Sequence, residues 1–143
     1  MIIQVLSAFA AIVASSIFLE SPKRIIFVTG SVGAIGWGVY LICVNSFGPI
    51  ISTFIASIVV SLLSHIFSRV FKTPSTMFFI PGFYPLVPGY TLYMGVYNFI
   101  LGDRILASEY FINTFKISGM IAMAIFTIDT IFNIYYNYKP KNH

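Results

Sequence analysis

The stretch Pro81-Gly82-Phe83-Tyr84-Pro85-Leu86-Val87-Pro88-Gly89 decides which fold the sequence predicts. It holds three prolines and two glycines and carries no charge. Proline lacks an amide donor and clashes with the preceding turn, so a regular helix cannot continue through all three. Broken backbone at membrane depth must be buried in protein or line a wet cavity, and such breaks mark substrate sites in transporters. The residues predicted to bind substrate are Pro81, Gly82, Pro85, Pro88 and Gly89.

The composition around that stretch is typical of an integral membrane protein. Of the 143 residues, 58% are hydrophobic and only 8% are charged, and the mean hydropathy is +0.92. The net charge of +4 comes from eight basic residues at separated points, a pattern that favours topology signals beside a membrane over nucleic-acid binding. The single cysteine, Cys43, excludes an internal disulfide and a cysteine-based metal site. We expect no cofactor.

Apolar runs predict five transmembrane helices in a single polytopic domain, residues 1–143. The predicted spans are about 2–19, 25–44, 50–71, 77–101 and 110–136. The first run is long enough to cross a bilayer core, at about 27 Å. Its basic residues follow it, which favours a retained span over a cleaved signal peptide. The fold class is therefore an all-α membrane bundle whose fourth helix is interrupted by the Pro/Gly break.

Basic residues predict the orientation of the bundle. With the N-terminus outside, the cytoplasmic face carries six lysines and arginines, and only Arg104 lies on the outer face. The cytoplasmic six are Lys23, Arg24, Arg69, Lys72, Lys139 and Lys141. A four-span arrangement, with the broken segment dipping in and returning, would place the C-terminal lysines outside. Five spans in the cytoplasmic (inner) membrane, with a cytoplasmic C-terminus, fit the charges better.

Small residues recur every fourth position in the first two predicted spans. The two ridges are Ser7, Ala11 and Ser15, and Gly30, Ala34 and Gly38. Small residues at this spacing let helix backbones approach closely, so we expect both ridges to pack against other helices. A ligand path along Gly30, Gly33 and Gly36 is the alternative.

The third span carries a polar face. Its serines, at positions 57, 61, 64 and 68, share one side of the helix, and His65 lies beside them. An imidazole takes up and releases protons near neutral pH, so His65 is a candidate proton relay. The alternative is a neutral ring that hydrogen-bonds to a serine on a neighbouring helix. Metal binding is disfavoured because the other histidine, His143, is the last residue.

The last span contains two charged residues. Lys116 lies about two turns from its outer start and is a candidate polar relay, although its long side chain can instead extend to the interface. Asp129 cannot extend in this way and heads a polar stripe that continues at Asn133. An acid within a span indicates function by default, so Asp129 is the predicted proton-coupling group. The alternative is a structural hydrogen bond to another helix or subunit.

No set of side chains in the sequence has the pattern of a catalytic site. The acids are few and scattered, and the polar groups are mainly serines, asparagines and backbone. Such groups can coordinate a small polar solute but are poorly suited to breaking bonds, so we expect no enzymatic activity.

The Pro81–Gly89 stretch, read as Pro-Gly-aromatic-aromatic-Pro-Leu-Val-Pro-Gly, resembles the signature of the threonine/serine exporter family. Length and layout over about residues 5–136 are similar to the family's small split-type subunit, which corresponds to the C-terminal half of fused exporters. The resemblance implies export of small amino acids by proton antiport, together with a larger membrane subunit of the same family. Some relatives are linked to the efflux of dicarboxylates such as succinate.

Other functions are compatible with the same sequence features. A non-transporting scaffold that stabilises a membrane partner would also use small-residue ridges. A channel is disfavoured because the chain has no charged rings and no repeated filter sequence. Five spans are few for a complete carrier, so we expect either the partner subunit or a homo-oligomer to supply a second half.

Overall fold

The fold is all-helical over residues 1–138, whose backbone is described by the computed structural model; side chains are described for residues 1–135. The helices are α1 (Ile2–Phe18), α2 (Lys23–Val70), α3 (Thr76–Gly82), α4 (Gly89–Ile100) and α5 (Arg104–Tyr138), and a 3₁₀ turn (Tyr84–Leu86) lies between α3 and α4. The basic residues predicted at positions 139 and 141 lie outside this described part.

Helix α2 folds back on itself at Gly48. Gly48 has φ 74° and ψ 172°, a conformation that suits glycine because it has no Cβ, and Pro49 begins the second half. The halves, 23–47 and 49–70, pack antiparallel. Nη2 of Arg24 donates to the carbonyl of Phe71 at 2.8 Å, which joins their far ends. The predicted spans 25–44 and 50–71 leave a short connector here, and in the structure the reversal takes a single residue outside helical geometry.

Helix α1 packs on the glycine ridge of α2. A Cβ built on Gly30 would meet Val13 and Phe9, so this glycine provides room for α1 side chains. The face of α1 that is buried consists of Ala8, Ile12 and Ser16. The ridge predicted at Ser7, Ala11 and Ser15 was therefore the wrong face. The physical reason is that large side chains of α1 fill the gaps above the α2 glycines, so no second ridge of small residues is needed.

Gly33 is the glycine with the closest backbone neighbour. A Cβ there would overlap Cδ1 of Ile12 and would lie 2.9 Å from the carbonyl oxygen of Gly82 in α3. The ligand-path alternative for these glycines has no support in this geometry, because the space beside Gly33 is occupied by packed helices.

We expect Gly33→Ala to destabilise the fold by about 1–3 kcal/mol, because the α3 backbone cannot move aside without disturbing the core. Gly119→Ala is the matched control. No atom lies within 4 Å of a Cβ at Gly119, so alanine there should be neutral or stabilising, by up to about 1 kcal/mol from helix propensity. Thermal unfolding of both purified variants in detergent measures the difference. Equal unfolding temperatures would contradict the close packing of α2 and α3.

The predicted fourth span is divided into three pieces. Helix α3 packs against both α1 and α2, whereas α4 packs against α5 alone among the described elements. Pro81 lies inside α3, so the helix ends only at Gly82 and the break extends over Phe83–Pro88. The buried core lies where this break meets α2, and consists of Val32, Ala56, Val60, Phe79, Phe83 and Leu86.

Among the described residues, two helices are long and apolar enough to cross a membrane, α2 and the segment Arg104–Tyr135 of α5. Helix α1 is apolar but shorter. Because α2 folds back at Gly48, each of its halves is about 33 Å long or more, which matches a bilayer core. The number of spans stays a prediction.

Candidate functional site

A cavity of about 330 Å³ lies where the two breaks in helical backbone face each other. Pro85, Leu86, Val87 and Pro88 line one side, and Pro49, which follows the fold-back of α2, lines the other. Two breaks of regular structure therefore converge on one space. The volume is at the lower end of the range seen for small-molecule sites.

Several hydroxyl and amide side chains line the same cavity. They come from three helices, and they are Tyr40, Thr53, Tyr90, Thr91 and Asn113. The Thr91 hydroxyl donates to the Pro88 carbonyl at 3.0 Å and accepts from Thr114 at 2.9 Å, which fixes the start of α4 against α5. The charged side chains described do not line this cavity.

The N-terminal end of α4 supplies a partial positive charge at the cavity. Pro88 precedes the helix, and no side chain caps its first amides. Tyr90 and Thr91, in its first turn, line the cavity. The Gly89 amide donates to the Val87 carbonyl at 2.8 Å, so the amides of Tyr90 and Thr91 and the helix dipole are what favour a carboxylate at this end. The cavity can thus hold a small solute with a carboxylate and polar groups.

A second polar site lies where α2 meets α5. Nε2 of His65 lies 2.5 Å from Oδ1 of Asp129, and the two side chains are 15% and 42% exposed. The His65 ring stacks on Phe132 with centroids 4.6 Å apart and meets Phe79 of α3 edge-on at 5.5 Å. Three helices therefore fix the orientation of the imidazole. The two residues predicted as a proton relay therefore lie in contact, and their role stays a prediction.

Arginine and aromatic groups surround that pair. The guanidinium of Arg69 lies over the ring of Phe132, 4.6 Å from its centroid. Asp129 and Arg69 thus both belong to the end of the bundle at which Arg24 binds the Phe71 carbonyl. The pair lies near the basic end, as the positions of His65 and Asp129 in the sequence suggest.

The two sites are well separated but joined by the same elements. Thr53 and His65 are twelve positions apart on α2, about 18 Å, and Asn113 and Asp129 are sixteen apart on α5, about 24 Å. Helix α3 bridges the gap, since Phe79 contacts His65 and the chain beyond it lines the cavity. Helix α3 and the break that follows it therefore lie between the two sites.

The structure divides the residues predicted to bind substrate. Pro85 and Pro88 line the cavity, whereas Pro81 and Gly82 are buried in α3 and pack away from it. Gly82 lies against Gly33 and Val60, and Gly89 begins α4 without lining the cavity. Their predicted roles in binding stay predictions.

The predicted relay residues are also divided. His65 and Asp129 meet, but Lys116 and Asn133 are exposed on α5 and do not line the cavity. The sequence analysis missed the pairing itself, although both residues lie one to two turns from the basic ends of parallel helices. It also missed Asn113 and Trp37 at the cavity. Nothing in their spacing distinguishes them from packing residues.

A family model described as "Threonine/Serine exporter, ThrE" matches residues 4–131. No curated protein and no solved structure matches the chain.

Proposed function

The chain belongs to the threonine/serine exporter family, and we propose on that basis that it is a subunit of a secondary transporter that exports threonine and serine. The observation that carries the proposal is the cavity at which the break between α3 and α4 faces the fold-back of α2. Broken helices at membrane depth are where carriers bind their substrates.

The chemistry of the cavity suits a small zwitterionic hydroxy amino acid. We assign the substrate carboxylate to the first amides of α4, and the hydroxyl and ammonium groups to Asn113, Thr53 and free backbone carbonyls of the break. A dicarboxylate would need a cationic partner for its second charge. Because no lysine or arginine lines the described cavity, threonine and serine are favoured over succinate.

We propose that the His65–Asp129 pair couples export to protons. The carboxylate and imidazole are held together by three helices, one of which leads into the cavity wall. Proton entry at the pair would alter the packing of Phe79 and hence the position of the break. The carrier would act as an antiporter if, after releasing its substrate outside, it returns to its inward-facing state only when the pair is protonated. Each cycle would then move a proton inward as the substrate moves outward.

We propose five spans in the inner membrane, formed by α1, the two halves of α2, the broken path from α3 to α4, and α5. The pairing of Arg24 with the Phe71 carbonyl supports a common cytoplasmic end for the two basic connectors. Lys116 and Asn133 are exposed on α5, and we assign this face to the larger membrane subunit of the exporter. A homo-oligomer would cover the same face.

Metabolite export by cells tests the proposed function. Deleting the gene should raise intracellular threonine and serine and lower their efflux, and restoring the chain with its partner should reverse both changes. Succinate efflux is the control for the dicarboxylate alternative. If deletion leaves threonine and serine efflux unchanged but alters succinate efflux, the substrate is a dicarboxylate and not threonine or serine. No change in any export, with loss of the partner from the membrane, would favour the scaffold.

A further inference from the structure

A groove of about 520 Å³ lies between α1 and the start of α2. It shares no lining residue with the cavity at the helix breaks. Val13 and Ile17 of α1 and Phe27 of α2 form part of its apolar wall. Val13 lies seven positions before Glu20 at the other end of the groove, a distance of about 10 Å along the helix. A largely apolar groove with a few polar groups is typical of a ligand site.

The connector between α1 and α2 lines one end of this groove with three polar residues, Glu20, Ser21 and Lys23. Ser21 is only 8% exposed, and its hydroxyl makes no hydrogen bond within residues 1–135. Glu20 and Lys23 are exposed and form no salt bridge with each other or with another described residue. The groove therefore brings together a carboxylate, an ammonium group and a hydroxyl whose side chains lack partners in the described part of the chain.

Glu20 occupies a position that is unfavourable for both its backbone and its charge. It follows the end of α1 with φ 54°, a left-handed conformation in which glycine or asparagine is usual. Its carboxylate also lies at the negative end of the helix dipole. The corresponding residue after α2 is Lys72, with φ 50°, and its positive charge suits a helix C-terminus. A cation bound beside Glu20 would offset the cost of the carboxylate.

Lys23 is unfavourably placed in the opposite sense. It is the first residue of α2, at the positive end of that helix dipole, and the first turn contains no acid. The neighbouring Arg24 donates to the carbonyl of Phe71, whereas the Lys23 ammonium has no such partner among the described residues. An anion bound beside Lys23 would offset this cost. Glu20 and Lys23 together thus favour a ligand that carries an anion and a cation close together.

We propose that this groove binds a phospholipid whose headgroup carries one phosphate and one primary ammonium group, as in phosphatidylethanolamine. The phosphate lies beside Lys23 and accepts from the Ser21 hydroxyl, the ammonium donates to Glu20, and an acyl chain follows the apolar wall. An acidic lipid without a cation would leave Glu20 uncompensated, and a quaternary ammonium has no N–H to donate. The inference goes beyond the proposed function and rests only on the proposed placement of the chain in the membrane.

Native mass spectrometry of the full chain, purified in mild detergent, tests the site with three lipids of identical acyl chains. We expect phosphatidylethanolamine to bind at least about tenfold more tightly than phosphatidylglycerol or phosphatidylcholine, because a hydrogen bond to a charged group contributes about that factor. Glu20→Gln should abolish the preference over phosphatidylcholine, and Lys23→Gln should weaken binding of all three lipids. The matched controls are Glu109→Gln and Lys72→Gln, since both residues are exposed and lie outside the groove.

Glu20→Gly separates lipid binding from a structural role of the connector. Glycine adopts φ 54° without strain and removes the carboxylate from the end of α1, so the lipid-free variant should unfold at the wild-type temperature or above it. Added phosphatidylethanolamine should raise the unfolding temperature of the wild type by more than that of the variant. A variant that is less stable than the wild type without lipid would overturn the inference, because the carboxylate would then serve the fold.

The binding measurement has two further results that would contradict a site of this kind. One is equal binding of the three lipids, or tighter binding of phosphatidylglycerol, by the wild type. The other is a preference for phosphatidylethanolamine that survives both Glu20→Gln and Lys23→Gln. Neither result bears on threonine export, since no transport is measured. A chain that leaves cell membranes without detergent would refute the proposed placement in the membrane and the inference with it.

Discussion

Replacing both Pro85 and Pro88 with alanine is expected to lower the rates of threonine export and of threonine exchange at least about tenfold. In the structure these prolines keep the 3₁₀ turn and the extended Val87 between α3 and α4. Alanine is favoured over proline within a helix by about 3 kcal/mol, so the variant can join α3 to α4 as one continuous helix. That helix would fill the cavity at the fold-back of α2.

Pro74→Ala is the matched control for the two prolines. Pro74 is exposed in the connector before α3, and its carbonyl still accepts from the Met77 amide after substitution. Export should therefore be unchanged in this variant, and membrane levels should be equal in all three proteins. Retained exchange in the double variant would mean that the break is not part of the substrate site.

Asp129→Asn is expected to separate exchange from proton-driven export. Asparagine preserves the size of the side chain and a hydrogen bond to His65, but it cannot take up a proton. Gradient-driven accumulation should fall at least about tenfold, the minimum effect usual for loss of a proton-transfer group. Threonine exchange should continue, because the cavity lies about 24 Å away along α5.

Asp103→Asn, immediately before the start of the same helix, is the control for that substitution. Asp103 precedes α5 and its carboxylate accepts from the Leu106 amide at 3.0 Å, a bond that asparagine can also make. We expect normal accumulation from this variant. His65→Gln should behave like Asp129→Asn, since it removes the other half of the pair. If both variants of the pair accumulate threonine normally, the pair is structural.

The sequence is sufficient to predict the helices and the break but not what the break faces. Proline and glycine act through local backbone geometry, so the fold-back near Gly48 and the interruption after Gly82 follow from the residues themselves. The cavity depends on which helices lie opposite the break, and Trp37 and Asn113 carry no local sign of that position. The prediction of which face of α1 is buried was wrong for a related reason. Small residues on one helix can pack against either small or large side chains of its neighbour.

The meeting of His65 and Asp129 depends on tertiary structure in the same way. Each residue is recognisable alone as a titratable group in an apolar run. Their contact depends on the parallel arrangement of the second half of α2 and the second half of α5. His65 and Asp129 lie at similar distances from the basic ends of their helices, so the sequence is compatible with a contact between them. Many arrangements of the helices keep these distances without bringing the two side chains together.

The central claim is that one chain places the cavity proposed to bind substrate and the His65–Asp129 pair proposed to couple protons on the same packed helices. The most direct test uses inside-out membrane vesicles that contain this chain and its partner subunit, with an acidic interior imposed at the start. The account predicts transient accumulation of threonine above its external concentration, abolished by a protonophore and at least about tenfold lower in Asp129→Asn. Threonine that only equilibrates in the wild type, whatever the imposed pH gradient, would contradict it.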